Sequence, residues 1–363
     1  MSPYNGALGE KRKWAPFAAV EPSPLMAPEE GVPLLLEALC HMEYQRWGEA
    51  ASALAPARGD VFIFMIGLAN LWAGKALQAF KSFNNVSPPD AEEGEGMALF
   101  KAAFANASAC LLMLDDQDPP SQARQAAGLI RNMLETVDSE KEPGLAGFYW
   151  YHLGRANAVL SQNSGEESMV FRGEAVECFR KSAEISESIS PYARAAAMNA
   201  LGHGLYDPDR GTKESLKEAG ACFMEVLEVY DRKSFPSGWA GAQFMLGEID
   251  STLASRQEGK DKAAALMSSV EAYSLALEEM DQGAPVKWGA AMVRLAGSLA
   301  SLGGLIGGDQ GAGLVRQAQE LIDQAEPAIT IAGDESLSQG LAISRAAAIM
   351  VEKRIGKDAK TPE

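Results

Sequence analysis

Cysteine and histidine are scarce in this chain. The four cysteines among 363 residues (Cys40, Cys110, Cys178 and Cys222) stand more than forty residues apart, with no C-x-x-C pair. That spacing excludes a local zinc motif and the disulfide framework of a small secreted domain. It predicts reduced, packed thiols in a cytoplasmic protein. The three histidines, His41, His152 and His203, fall in separate segments without an H-E-x-x-H pair, so neither a metal nor a cofactor is expected. Basic residues are few: 32 Lys and Arg against 49 Asp and Glu, a formal charge of −17. Phosphate binding needs a concentrated basic surface, which makes nucleic acid an unexpected partner. No uninterrupted apolar run approaches the ~18 residues of a spanning helix, so no stable membrane insertion is expected. Behind the basic cluster Lys11-Arg12-Lys13-Trp14, Pro16 and Pro22 break the apolar stretch, so it makes no signal-peptide core. A G-x-S-x-G elbow is missing too.

Apolar content is ordinary. Hydrophobic residues make up 47% and charged residues 22%, the balance of a chain that folds rather than one that stays disordered. The most informative feature is self-similarity. Four twelve-residue segments align without gaps: PGLAGFYWYHLG from Pro143, PYARAAAMNALG from Pro191, PSGWAGAQFMLG from Pro236 and PVKWGAAMVRLA from Pro285. Their offsets are 48, 45 and 49 residues. A small residue follows each proline by four places (Gly147, Ala195, Ala240, Gly289), and a second closes each segment (Gly154, Gly202, Gly247, Ala296). Leu153, Leu201, Leu246 and Leu295 precede the closing residue. Offsets of +4, +7 and +11 share one stripe of a helix, and proline suits the first turn. The small residues predict close approach by a second helix. Those second helices are expected over Glu174–Ser186, Leu216–Tyr230, Ala265–Met280 and Leu314–Ala325. The unit is thus helix, loop, helix.

Trp150-x-x-Leu153-Gly154 with Ala175 and Phe179 resembles the tetratricopeptide repeat (TPR) family. Leu201-Gly202 with Ala219 and Phe223, and Leu246-Gly247 with Tyr273 and Ala276, resemble it likewise, as do Ile66-Gly67 with Ala79 and Phe83. The family repeats every ~34 residues. Here the excess is expected in the loops, as in Ser161–Phe171 and Asp207–Lys213. The resemblance implies an all-α chain, a right-handed α-solenoid of stacked helix-loop-helix hairpins. Residues 1–28 carry five prolines and are read as an extended or disordered arm. Residues 29–140 are expected to form divergent hairpins, including Leu34–Tyr44 with Trp47–Leu54, and 94–114 with 121–138. Residues 141–334 hold the four expanded units, and 335–363 a capping helix and tail.

Other motifs read as structure. The glycine run from Gly303 to Gly313 lacks the preceding strand and terminal Lys-Ser or Lys-Thr of a phosphate loop, so a flexible loop is expected there. Asp207-Pro-Asp209-Arg-Gly211 lacks the distal Glu of a calcium loop and predicts a turn. The acidic group at Glu92, Glu93 and Glu95 precedes a predicted helix, where it favours the positive end.

A solenoid would bind on the side of its first helices turned away from packing. In each unit that side holds two positions before the closing small residue and two after it. They are Phe148, Tyr151, Arg155 and Ala158, then Ala196, Asn199, His203 and Tyr206. The third unit offers Gly241, Phe244, Glu248 and Ser251, the fourth Ala290, Val293, Gly297 and Ala300. From these, Tyr151, Arg155, Asn199, His203, Tyr206, Phe244 and Glu248 combine aromatic area with mixed hydrogen bonding, the profile of a peptide groove. The aromatics could equally pack between neighbouring units. Some TPR domains hold a terminal carboxylate between cations and asparagines; Arg155 and Asn199 would supply two members, but Glu248 stands where another cation would serve. The fourth unit's apolar face could seat a helix, dock a subunit or pack on the cap. The leading expectation is a non-enzymatic scaffold or adaptor binding a protein or peptide segment, basic by charge complementarity. The alternatives are an accessory subunit that grips partners by edges and loops, and an enzyme whose site is built across units.

Overall fold

The computed structural model of the protein describes residues 75–87 and 119–358, except 164, 234, 281–284 and 334. It also describes the isolated positions 63, 64, 66, 67, 70, 101, 103 and 107. The arm 1–28, the Lys11–Trp14 cluster, the hairpin of 34–54, the acidic group at 92–95 and most of 94–114 lie outside the described residues, as do Cys40, Cys110 and His41.

Among the described residues every regular element is helical, and there is no strand. The helices are α1 (Ala76–Phe83), α2 (Pro119–Leu134), α3 (Pro143–Asn163), α4 (Ser168–Ser186), α5 (Pro191–Leu205) and α6 (Lys213–Val229). They continue with α7 (Pro236–Ser255), α8 (Gly259–Glu279), α9 (Pro285–Ile306), α10 (Gly308–Ala332) and α11 (Glu335–Asp358). The chain is all-α and divides into two compact units, one ending at Gly204 and the other beginning at Leu205. Within each unit neighbouring helices pair as antiparallel hairpins, the building pattern of an α-solenoid.

Each of the four repeated prolines opens a helix (α3, α5, α7 and α9). At that position the missing N–H would have had no intrahelical partner. The eight small residues of the stripe are all buried. In the first unit Ser168 Oγ donates to Ser161 O at 2.5 Å at one end of the α3–α4 hairpin, and Ser182 Oγ donates to Gly147 O at 2.9 Å near the other. That pairing fixes the antiparallel register. Tyr149, Phe148, Ile130 and Leu153 fill the core between α2, α3 and α4. In the second unit Tyr273, Leu295, Leu299, Val315, Ile322 and Ile329 join α8, α9 and α10, and Leu341 adds α11. Each such buried aliphatic or aromatic side chain stabilises by roughly 1.5–3 kcal/mol.

The long repeat period arises differently from the expectation. Residues 161–171 do not form a loop: α3 runs to Asn163, a 3-10 turn spans Gly165–Glu167, and α4 starts at Ser168. Gly165 has φ +53°, a left-handed conformation that glycine adopts without penalty, and it permits this abrupt reversal. The extra length therefore sits in the helices. The glycine run 303–313 is likewise helix on both sides of Gly307 rather than a flexible loop. A Cβ on Gly303 would stand 2.6 Å from Gly311 O, so these glycines let α9 and α10 cross backbone to backbone. Of the segments expected as loops, the stretch after Asp207 is one. Asp207 Oδ1 accepts the N–H groups of Asp209 (3.0 Å) and Arg210 (2.9 Å), which closes a turn. Thr212 then caps α6 by accepting the Ser215 N–H at 3.1 Å.

Helix α9 is long and apolar enough to cross a membrane, with a mean hydropathy of 1.4 over Val286–Ile306. In the fold the middle of this helix is core: Ala291, Met292, Leu295, Ala296, Leu299 and Ala300 are all buried. The fourth unit's expected open face is covered too. Val293 and Ala300 share a buried cluster with Leu341 and Ala348 of α11, and Gly297 lies against Ser344. Of the fates open to that face, packing on the cap is the one observed.

Candidate functional site

The aromatic–glycine contact is the repeating structural unit on which the candidate side chains hang. A Cβ on Gly154 would lie 2.6 Å from the Phe179 ring, and one on Gly247 2.7 Å from the Tyr273 ring. Gly67 meets the Phe83 ring at 2.6 Å in the same way. Leu153-Gly154 and Leu246-Gly247 thus each seat the aromatic of their own second helix, so the ring is spent on packing. The neighbouring candidate aromatics follow it inward. Phe148 is buried, against the expectation that it faces outward. Tyr151 is half-buried, with its ring centroid 5.0 Å from His152 and 5.9 Å from Phe179. Phe244 packs 5.5 Å from Tyr273.

The polar candidates of the first unit lie further along α3 and on α5. Arg155, one helical turn beyond Tyr151 on α3, is half-buried and has no ion pair among the described residues. On α5, Asn199 is half-buried and His203 exposed, one turn apart. In the same unit His152 is buried with its ring tilted 40° against Phe148 at 4.3 Å between centroids, and its Nδ1 is unpartnered. Burial, reinforced by the Arg155 charge, drives its pKa well down and keeps the imidazole neutral.

In the second unit the candidates form one hydrogen-bonded cluster. Tyr273 Oη donates to Glu248 Oε1 at 2.5 Å, and Arg294 Nε forms an ion pair with the same oxygen at 3.0 Å. Tyr206 Oη donates to Glu248 Oε2 at 3.4 Å and lies 3.2 Å from Thr252 Oγ1. Burial first, then the Glu248 carboxylate, raises the Tyr273 pKa far above its usual value. Burial raises that of Tyr206 as well. Both phenols therefore stay protonated donors at neutral pH. Glu248 is 13% exposed by side chain, whereas Arg294 is 60% exposed and presents its guanidinium to solvent.

By spacing alone Glu248 falls where a cation would serve, and Arg294, which supplies one from the next first helix, is not among the residues that spacing selects. A signal was present: α7 carries no Lys or Arg at all, and α9 carries only Lys287 and Arg294. The cluster can orient a carboxylate or carbonyl through Arg294. It offers no nucleophile or exposed general base, since Glu248 is saturated by its donors. Among the described residues no group of His, Cys, Asp and Glu is arranged to hold a metal.

No family model and no curated protein matches the chain. Among solved structures it is similar to a circular tandem repeat protein with novel repeat topology and enhanced subunit contact surfaces. The identity is 12%, covering 98% of this chain and 87% of that one, with a TM-score of 0.26. A score that low describes no shared arrangement, so the class, a helical repeat protein, rests on the helices themselves.

Proposed function

We propose that the chain is a non-catalytic, TPR-like scaffold that binds a protein or peptide segment along the outward sides of its first helices. The observation that carries this reading is the division of labour within each repeat. Glycine–aromatic seats consume one face of the α3–α4 and α7–α8 hairpins, and hydrogen-bonding side chains are left on the other. Arg155, Asn199 and His203 stand there in the first unit, Arg294 and its Glu248 anchor in the second. Arg294 restores the cation that a carboxylate-binding site would want beside Glu248. The formal charge of −17 favours a basic partner, chiefly through association rate. Cys178 and Cys222 are buried and stand outside any disulfide, which suits a reducing, cytoplasmic setting.

Crosslinking in native extract followed by mass spectrometry identifies the bound chain. Arg155→Glu and Arg294→Gln should each weaken its capture at least about tenfold, the effect of losing one charge-assisted hydrogen bond. A second reading, an accessory subunit held by its edges, is favoured by the exposed apolar side chains of the last two helices. Ile331 is 84%, Ile343 70% and Met350 72% exposed. Capture that survives both arginine changes but is lost on Ile343→Lys with Met350→Lys would select that reading.

A further inference from the structure

Within the first unit a cleft of about 670 Å³ opens between α2, α3 and α4, none of whose lining residues belongs to the surface described above. Its floor is apolar: Leu134 from α2, Trp150 and Leu153 from α3, and the buried thiol of Cys178 from α4. Burial lifts that thiol's pKa to about 11, so it is a neutral, unreactive wall. Asn157 sits in the same floor, 1% exposed. Its Nδ2 reaches only Cys178 Sγ at 4.0 Å, and its Oδ1 has no hydrogen-bond partner.

A buried carbonyl left without a donor costs stability that leucine at the same place would not. An acceptor kept there at that cost reads as one awaiting a donor from outside the chain. The rim supplies the second half of the recognition. Of its four charged side chains, Glu135, Glu174 and Glu177 are acidic and only Arg131 is basic. Arg131 bridges to Glu174 across the mouth at 3.2 Å, an exposed pair of the kind that contributes little and exchanges readily. Glu177 is neighboured by Arg180 and Lys181 of its own helix, at 3.5 and 3.9 Å. Glu135 has no ion pair among the described residues. Lys181 already lies 4.4 Å above the Trp150 ring, so this wall accepts a cation.

We propose that this cleft binds a short, basic, amphipathic peptide segment of a partner protein. An apolar side chain of that segment would rest on Leu134, Trp150 and Leu153. An N–H would be donated to Asn157 Oδ1, which is closed to solvent in the unliganded fold and would be reached by a turn of its side chain, and a Lys or Arg would lie against Glu135 and Glu174. The volume suits such a segment, since ligand pockets commonly span ~300–1,000 Å³. The inference rests on the scaffold reading and deepens it by adding a second, chemically defined contact that shares no residue with the Arg294 cluster.

Calorimetric titration of the full chain with a short synthetic Leu/Lys peptide, and with its Leu/Glu twin, tests this. The Leu/Lys peptide should bind and the Leu/Glu twin should be at least about tenfold weaker. Asn157→Leu should leave the midpoint of chemical denaturation equal or higher while reducing affinity for the Leu/Lys peptide at least about tenfold. Glu135→Lys, an exposed change that spares the core, should reduce it similarly and decides the matter should Asn157→Leu fail to fold. Equal binding of the two peptides, no binding of the Leu/Lys peptide, or affinity unchanged in Glu135→Lys would overturn the assignment. Binding that withstands both cleft changes but is lost in Arg155→Glu or Arg294→Gln would overturn the cleft and leave the scaffold reading standing.

Discussion

At Gly154 and Gly247 the ring of a partner helix occupies the space a methyl group would need. Gly154→Ala or Gly247→Ala must push Phe179 or Tyr273 out of its rotamer or separate two helices, at about 1–3 kcal/mol. Gly241 on α7 is the control, because nothing lies within 4 Å of the place its Cβ would take. Gly241→Ala should stabilise by up to about 1 kcal/mol through helix propensity. Urea denaturation of the three variants checks both signs. Asp250 on the same helix gives a pH signature. Burial raises its carboxyl from 3.8 to about 6 in the folded chain, so the native state holds the proton more tightly than the unfolded state. Stability from this group is complete below pH 3.8 and is lost as the pH rises through about 6. Asp250→Asn should therefore gain about 1–2 kcal/mol at pH 7, after allowance for partial solvent screening, and nothing near pH 4. Denaturation midpoints across that range decide it. Residue-scale chemistry of this kind is partly legible in the sequence. The Leu-Gly and aromatic positions stand out as a set, because their spacing is fixed by local helix geometry.

At the scale of elements, the prolines tell where four helices begin, and glycine misleads about where α9 ends and α10 begins. A glycine run reads as a loop when its neighbours in space are unknown. Here Gly303 and Gly311 touch across a helix crossing, and only Gly307 and Gly308 turn the chain, with φ of +69° and +56°. Gly307→Ala and Gly308→Ala should each cost about 1–2 kcal/mol from the left-handed backbone alone, measured by thermal or chemical unfolding. The segment 161–171 misleads for a related reason. Its polar residues, Gln162, Asn163, Glu166 and Glu167, look like a loop, yet most of the segment is exposed helix whose inner side is packed. Polarity reports solvent, and solvent touches helices as well as loops. Rotation about the helix axis is harder still. Periodicity puts Phe148, Val293 and Ala300 outside, but their positions also face an adjoining helix that periodicity alone cannot place.

For the molecule as a whole, the formal charge of −17 makes a prediction independent of which surface binds. The association rate with the Leu/Lys peptide should fall as salt rises from low to physiological ionic strength, while dissociation changes less, in stopped-flow fluorescence. Helical class, the four proline-opened repeats and their buried small-residue stripe were determined by the sequence, since each follows from contacts within a few turns of chain. Tertiary structure alone decided that Arg294 neutralises Glu248, that α11 covers the fourth unit, and that Asn157, Cys178, Arg131 and Glu135 line one cleft. Those groups come from helices separated by loops, and the rotation and approach of packed helices, which one-dimensional spacing does not encode, set which side chains meet.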